Sequence, residues 1–121
     1  EAERGAQLEV ADGIAAGFRL IDTAEGYHNE EGVGEGIRDA GVPRGQLFVT
    51  SKLRNGAHDR DSALRSFDAT MTALGLERLD MFLIHWPVPS QGKYVQAWKT
   101  LVELREGFAT GRDQDGMDMG I

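Results

Sequence analysis

Cysteine is absent from the 121 residues of the chain. That excludes a disulfide framework, a thiolate metal site and a cysteine nucleophile, and it suits a reducing compartment, so the cytoplasm is the expected location. Positive charge is also scarce. The formal net charge is -7 and no Lys/Arg stripe offsets it locally, so a phosphate backbone would be repelled and no nucleic-acid partner is expected. Long apolar runs are missing as well: none approaches the roughly 20 residues needed to span a bilayer. The opening EAERGAQ is acidic and polar, unlike the basic start and greasy middle of a signal peptide, so no membrane partner is expected either. Because it does not start with methionine, this opening reads as the interior of a longer sequence.

What is present describes a globular domain. A 40% hydrophobic, 27% charged chain of this length fits one small domain and is too short for two. Three apolar runs, FRLID (18–22), LFVTSKL (47–53) and DMFLIH (80–85), are too short for helices and rich enough in Leu, Ile, Val and Phe to be buried strands. Helical patterns lie between and around them. NEEGVGEGIRDA opens with Asn29 as N-cap, carries glutamates in its first turn and stops at Gly41, although its glycines weaken it. Residues 59–75 place Leu64, Phe67, Met71 and Leu74 on one face before Gly75, and residues 93–106 place Tyr94, Val95, Trp98, Leu101 and Val102 likewise. Residues 2–16 give a poorer version with Val10, Ile14 and Ala15.

The alternation predicts an α/β fold of about three parallel strands with four helices. Its strand ends fall at Asp22, Lys52 and His85, about 30 residues apart, the spacing of right-handed βαβ units. Parallel strands of this kind deliver their C-terminal ends to one rim, where α/β folds and barrels place their sites. Three strands cannot close an eight-stranded barrel, so a barrel sequence of this length is a partial, open one. Residues 107–121, with scattered glycines and aspartates, break the pattern and read as an irregular tail.

Tyr27 follows Asp22 by five residues, at the lip of the crevice that Lys52 and His85 would share. A free phenol, with a pKa near 10, is a poor acid at neutral pH, but a neighbouring ammonium draws it down. Lys52 is the candidate ammonium, Asp22 would hold it in place, and His85 could orient a carbonyl oxygen. Such a set suits proton delivery to a ketone or aldehyde as hydride arrives at carbon. Residue by residue, a strand-end ion pair, a packed tyrosine and a half-buried histidine account for the same positions. The convergence of three strand ends sets the catalytic reading level with that structural one.

In order and spacing, GFRLIDTAEGYHNEEGVGEGI, LFVTSKL and LDMFLIHWPVP resemble the aldo-keto reductase superfamily over residues 1–106. The resemblance implies a TIM (β/α)8 barrel that uses NADPH, or NADH in some members, without a metal. It carries the family's catalytic tetrad onto Asp22, Tyr27, Lys52 and His85, places Asp22 near the nicotinamide ribose, and matches Trp86 to a tryptophan of the substrate pocket. HWPVPSQGKYVQAWKTLVELRE looks most like bacterial members such as 2,5-diketogluconic acid reductases. A family member would also have a hairpin and a first strand before residue 1, and a fifth strand ending in a Ser-Asn-Phe-like motif after ELRE. The non-matching end GFATGRDQDGMDMGI suggests a frameshift or gene-end fragment, expected to be inactive alone.

Weaker signals resolve to structure. GVGEGI lacks the third glycine and the preceding strand of a dinucleotide loop, and DQDGMD has its glycine two residues early for a calcium loop. His28, Glu30 and His85 lack the paired spacing of a zinc site, and His28, where the family often has Gly or Gln, reads as a surface residue. The leading reading is an oxidoreductase acting on small carbonyl substrates. The alternative is a non-catalytic nucleotide- or partner-binding protein of the same fold, which would have no need of Tyr27 beside Lys52. A hydrolase using Asp22 and a glutamate as paired carboxylates would require a second acid at the other strand ends, and none is there.

Overall fold

The computed structural model describes residues 2–107. Helix α1 (Ala2–Ala15) leads into strand β1 (Leu20–Asp22), α2 (Glu30–Ala40), β2 (Phe48–Leu53), α3 (Arg60–Leu74), β3 (Met81–Ile84) and α4 (Tyr94–Arg105). The predicted alternation and all seven elements are present, with the first strand starting at Leu20 and leaving Phe18 exposed. Residues 108–121, which hold most of the expected irregular tail and the DQDGMD stretch, lie outside the described residues. Among the described residues no helix is long and apolar enough to cross a membrane.

The sheet runs β1-β2-β3, all parallel, with Asp22 paired to Thr50 and Lys52 paired to Leu83. Alternation along each strand then sorts the side chains between two faces. Ile21, Val49, Leu53 and Phe82 turn toward the helices and are buried with Phe67, Met71 and Leu74 of α3 and Leu101 and Leu104 of α4. Leu20, Phe48, Met81 and Leu83 occupy the opposite face and are 41–62% exposed. At the N-terminal edge, Asp80 accepts hydrogen bonds from the Val49 amide and from Arg44, both at 2.8 Å, which joins the starts of β2 and β3.

Two helices differ from their sequence pattern. In α4 the buried residues are Ala97, Thr100, Leu101 and Leu104, whereas Tyr94, Val95 and Trp98 are 43%, 54% and 61% exposed. The small side chains at 97 and 100 form the seat, and the aromatic ridge faces outward. In α2, Asn29 occupies the N-cap position but makes no side-chain cap bond. Its glycines are contact surface: a Cβ at Gly32 would overlap the Glu3 backbone, one at Gly34 the Leu74 carbonyl, and one at Gly36 would lie 2.6 Å from the Gln7 carbonyl oxygen. Helix α2 is thus wedged between α1 and the end of α3, where Arg38 also donates to the Leu74 carbonyl at 3.0 Å.

His58, in the loop after β2, is 1% exposed, and neither ring nitrogen has a hydrogen-bond partner among the described residues. Burial, and secondarily the charge of Lys93, hold its pKa below the usual histidine value. The folded state therefore favours the neutral ring, so stability is complete above about pH 6.5 and is lost as pH falls from there through the folded-state pKa. Urea midpoints should drop between pH 7.5 and 5.5, and the drop should be smaller in His58→Leu; an equal drop in both chains would assign the acid sensitivity to other groups. Gly34→Ala should destabilise by about 1–3 kcal/mol through overlap with the end of α3. Gly5→Ala, in α1 with nothing within 4 Å of its added carbon, should be neutral or stabilising by up to about 1 kcal/mol. Urea unfolding of the two variants checks the opposite signs.

Candidate active site

The parallel register determines what shares the rim. Asp22 ends β1, Lys52 is the penultimate residue of β2, and His85 follows β3 by one residue, its amide continuing the ladder to the Leu53 carbonyl at 3.1 Å. Tyr27 comes from a single 3-10 turn, Glu25–Tyr27, closed by its amide on the Ala24 carbonyl at 3.0 Å. The next residue, His28, adopts a left-handed backbone (φ 57°) with its side chain exposed, which redirects the chain into α2.

Lys52 is the centre of the arrangement. Its Nζ donates to Asp22 Oδ1 at 2.9 Å, to the Thr23 carbonyl at 3.1 Å and to Tyr27 Oη at 3.3 Å, using all three ammonium protons. Burial pulls the lysine pKa down, but the bonds to Asp22 and Tyr27 outweigh it and hold the value above that of an ordinary lysine. The Nζ lies 5.0 Å from the Tyr27 ring centroid. That ring meets the His85 imidazole edge-on at 5.8 Å, and His85 stacks on Trp86 at 6.3 Å with planes 7° apart. Asp22, Tyr27, Lys52, His85 and Trp86 are therefore neighbours on one open rim, with Tyr27 48% and Trp86 62% exposed. An accessible phenol beside a fixed cation can release its proton to an acceptor oxygen, because the cation stabilises the anion left behind.

Two carboxylates lie behind the rim: Glu25, which draws no reading from the sequence, and Glu30, which enters there as a first-turn glutamate and as one of a metal trio. Glu25 accepts from Arg54 Nε at 2.8 Å and from the Ser66 hydroxyl. Glu30, 5% exposed, accepts from Ser51 Oγ at 2.7 Å and Thr70 Oγ1 at 2.9 Å. Burial raises the Glu30 pKa above the usual carboxylate value, with the two hydroxyl bonds opposing the rise. Glu30 is thus engaged with hydroxyls on the helix side of the sheet and does not join His28 and His85. The available signal was Ser66 and Thr70, two hydroxyls one turn apart on the buried face of α3.

Parallel strands alternating with helices that pack on one face of the sheet are the repeating unit of a (β/α)8 barrel. The chain belongs to the aldo/keto reductase family, whose model matches residues 5–110. It is 48% identical over 95 residues to morphine 6-dehydrogenase of Pseudomonas putida, covering 78% of this chain and 32% of that protein. Among solved structures, an aldo/keto reductase from Brucella melitensis superposes with a TM-score of 0.84 at 38% identity, covering 88% of this chain and 42% of that one. A Bombyx mori aldo-keto reductase in complex with NADP gives 0.81 at 34% identity, covering 90% and 39%. The fold is part of a (β/α)8 barrel, three parallel strands and four helices with the barrel not closed. The chain spans about a third of the length of the curated relatives it matches.

The site and the fold should separate energetically. The Asp22 side chain is 58% exposed, so Asp22→Ala should change stability by about 1 kcal/mol or less. Asp80, only 12% exposed and holding both a backbone amide and Arg44, should cost about 2–3 kcal/mol when replaced by alanine. Urea midpoints of the two variants measured side by side test this; a larger loss for Asp22→Ala would make the rim pair structural.

Proposed function

We propose that the chain carries the proton-donating half of an NAD(P)H-dependent reduction of aldehydes or ketones to alcohols, with Tyr27 as the acid. The observation that carries this reading is the Lys52 ammonium bound at once to Asp22 and to the phenol of Tyr27. Tyr27 donates its proton to the carbonyl oxygen, and Lys52 stabilises the phenolate that remains. Asp22 keeps the ammonium on the tyrosine side of the rim. His85, held against Tyr27 and Trp86, orients the carbonyl oxygen by hydrogen bonding, and the exposed indole of Trp86 contacts the rest of the substrate.

The donor set fits a nicotinamide cofactor: carbonyl reduction needs a hydride that none of these side chains can supply, and the exposed Asp22 carboxylate can accept a hydrogen bond from a cofactor sugar hydroxyl. NADPH, or NADH, supplies the hydride to the carbonyl carbon when bound. The NADP complex of the Bombyx mori relative supports this choice. No metal is part of the scheme.

Turnover also requires a site shielded from water, and here the sheet face beneath the rim, from Leu20 to Leu83, is open. The 121-residue chain alone is therefore expected to show no turnover. Grafted in place of the matching segment of the Brucella melitensis reductase, it should support NADPH-dependent aldehyde reduction. Tyr27→Phe in that graft should lower kcat by roughly a hundred- to ten-thousandfold, as for loss of a general acid, with the Kd for NADPH unchanged. Near-normal turnover by the phenylalanine variant would remove Tyr27 from the acid role.

A further inference from the structure

We infer that Glu25 and Glu30 are positioning residues that clamp the turn carrying Tyr27 onto the hydroxyls of Ser66 and Thr70; the inference rests on the proton-donor reading of Tyr27. The two glutamates bracket the tyrosine, two residues before it and three after. Each uses both carboxylate oxygens. Glu25 holds Arg54 through Oε1 and Ser66 through Oε2, and Glu30 holds Thr70 through Oε1 and Ser51 through Oε2. Ser66 and Thr70 are four residues apart on α3 and so stand one above the other on its face. Ser51 and Arg54 flank Lys52 on and just beyond β2. The same pair of carboxylates therefore fastens the turn both to the strand that supplies the ammonium and to the helix behind it.

Packing alone does not provide this. The Tyr27 side chain is half exposed and its turn has no buried residue, so few apolar contacts fix where the phenol sits. Glu30 is also an expensive choice for a purely structural position, because burial disfavours its charged form and apolar replacements of buried ionic groups are often neutral or stabilising. What a carboxylate adds is direction: two hydroxyl bonds at fixed angles at each end of a short loop. The separation of 3.3 Å between phenol and ammonium is then set by groups that touch neither.

The test uses the whole chain and needs no turnover. The sequence has two tyrosines, so fluorotyrosine labelling gives two resonances, and Tyr94 on α4, 43% exposed against 48% for Tyr27, is the internal comparator. Replacing Ser66→Ala and Thr70→Val together removes both helix donors. Amides of residues 24–29 should then exchange roughly ten- to a hundredfold faster, the loss expected for hydrogen bonds to a charged acceptor. The Tyr27 resonance should move toward that of free tyrosine, while the Tyr94 resonance and exchange in residues 4–14 stay unchanged. Glu30→Gln, which keeps an acceptor for these hydroxyls, should hold Tyr27 near its original resonance. If the double variant does not fold, Ser66→Ala alone carries the test and should speed exchange around residue 25. An unchanged Tyr27 resonance with unchanged exchange in a folded variant, or equal movement of both tyrosines, would overturn the clamp. Tyr27→Phe in the grafted barrel tests the acid role separately, so the two ideas can fail independently.

Discussion

The ammonium of Lys52 is the interaction on which the rim depends. A lysine rising from a buried strand must find acceptors for three protons or remain in water, and here it finds a carboxylate from β1, a main-chain carbonyl at residue 23 and a phenol from the following turn. Three acceptors within residues 22–27 are tied to one atom of a residue 25–30 positions further along the chain. The lysine side chain itself is only 12% exposed, while the Asp22 side chain it holds stays 58% in solvent. The same geometry leaves the phenol with a cation on one side and an imidazole on the other, so the requirement that satisfies the lysine also fixes the surroundings of the tyrosine.

That atom can be a meeting point only because the strands run parallel and in register. Antiparallel pairing would send one of Asp22, Lys52 and His85 to the opposite rim. Parallel pairing also explains why this part of the structure was legible in the sequence: buried parallel strands appear as short, nearly continuous apolar runs, and a polar residue that closes such a run stands out. The strands, the order of elements and the strand-end residues Asp22, Lys52 and His85 could be read for that reason, whereas Trp86 came from the resemblance. The chemical roles proposed for Asp22, Tyr27, Lys52 and His85 drew on residue chemistry as well as on the resemblance, and that for Trp86 on the resemblance.

Legibility failed where the deciding contact lies across the fold. The apolar stripe of α4 indicates that the helix has a greasy side, but Tyr94, Val95 and Trp98 face outward because Ala97 and Thr100 allow a closer seat. Hydrophobicity alone does not rank a small residue above a large one as a contact. Glu30 looked like a helix-start charge and Glu25 drew no reading at all, whereas their partners Ser66 and Thr70 lie about 40 residues further along. His58 gave no signal of burial, since it sits in a polar loop between an arginine-containing turn and an acidic helix start.

The glycines of α2 have a consequence for anyone who would reshape this protein. A helix fitted backbone to backbone on two sides has no side chains there to repack, and it cannot absorb an added methyl by choosing another rotamer. Diversity is therefore better introduced at Trp86 and along the outward ridge of α4, where change is met by solvent. Residues 32, 34 and 36 are better left alone. In a library of variants those three positions would act as a fixed gauge: they set the height of the helix start, and with it the distance across which the neighbouring turn can reach the rim.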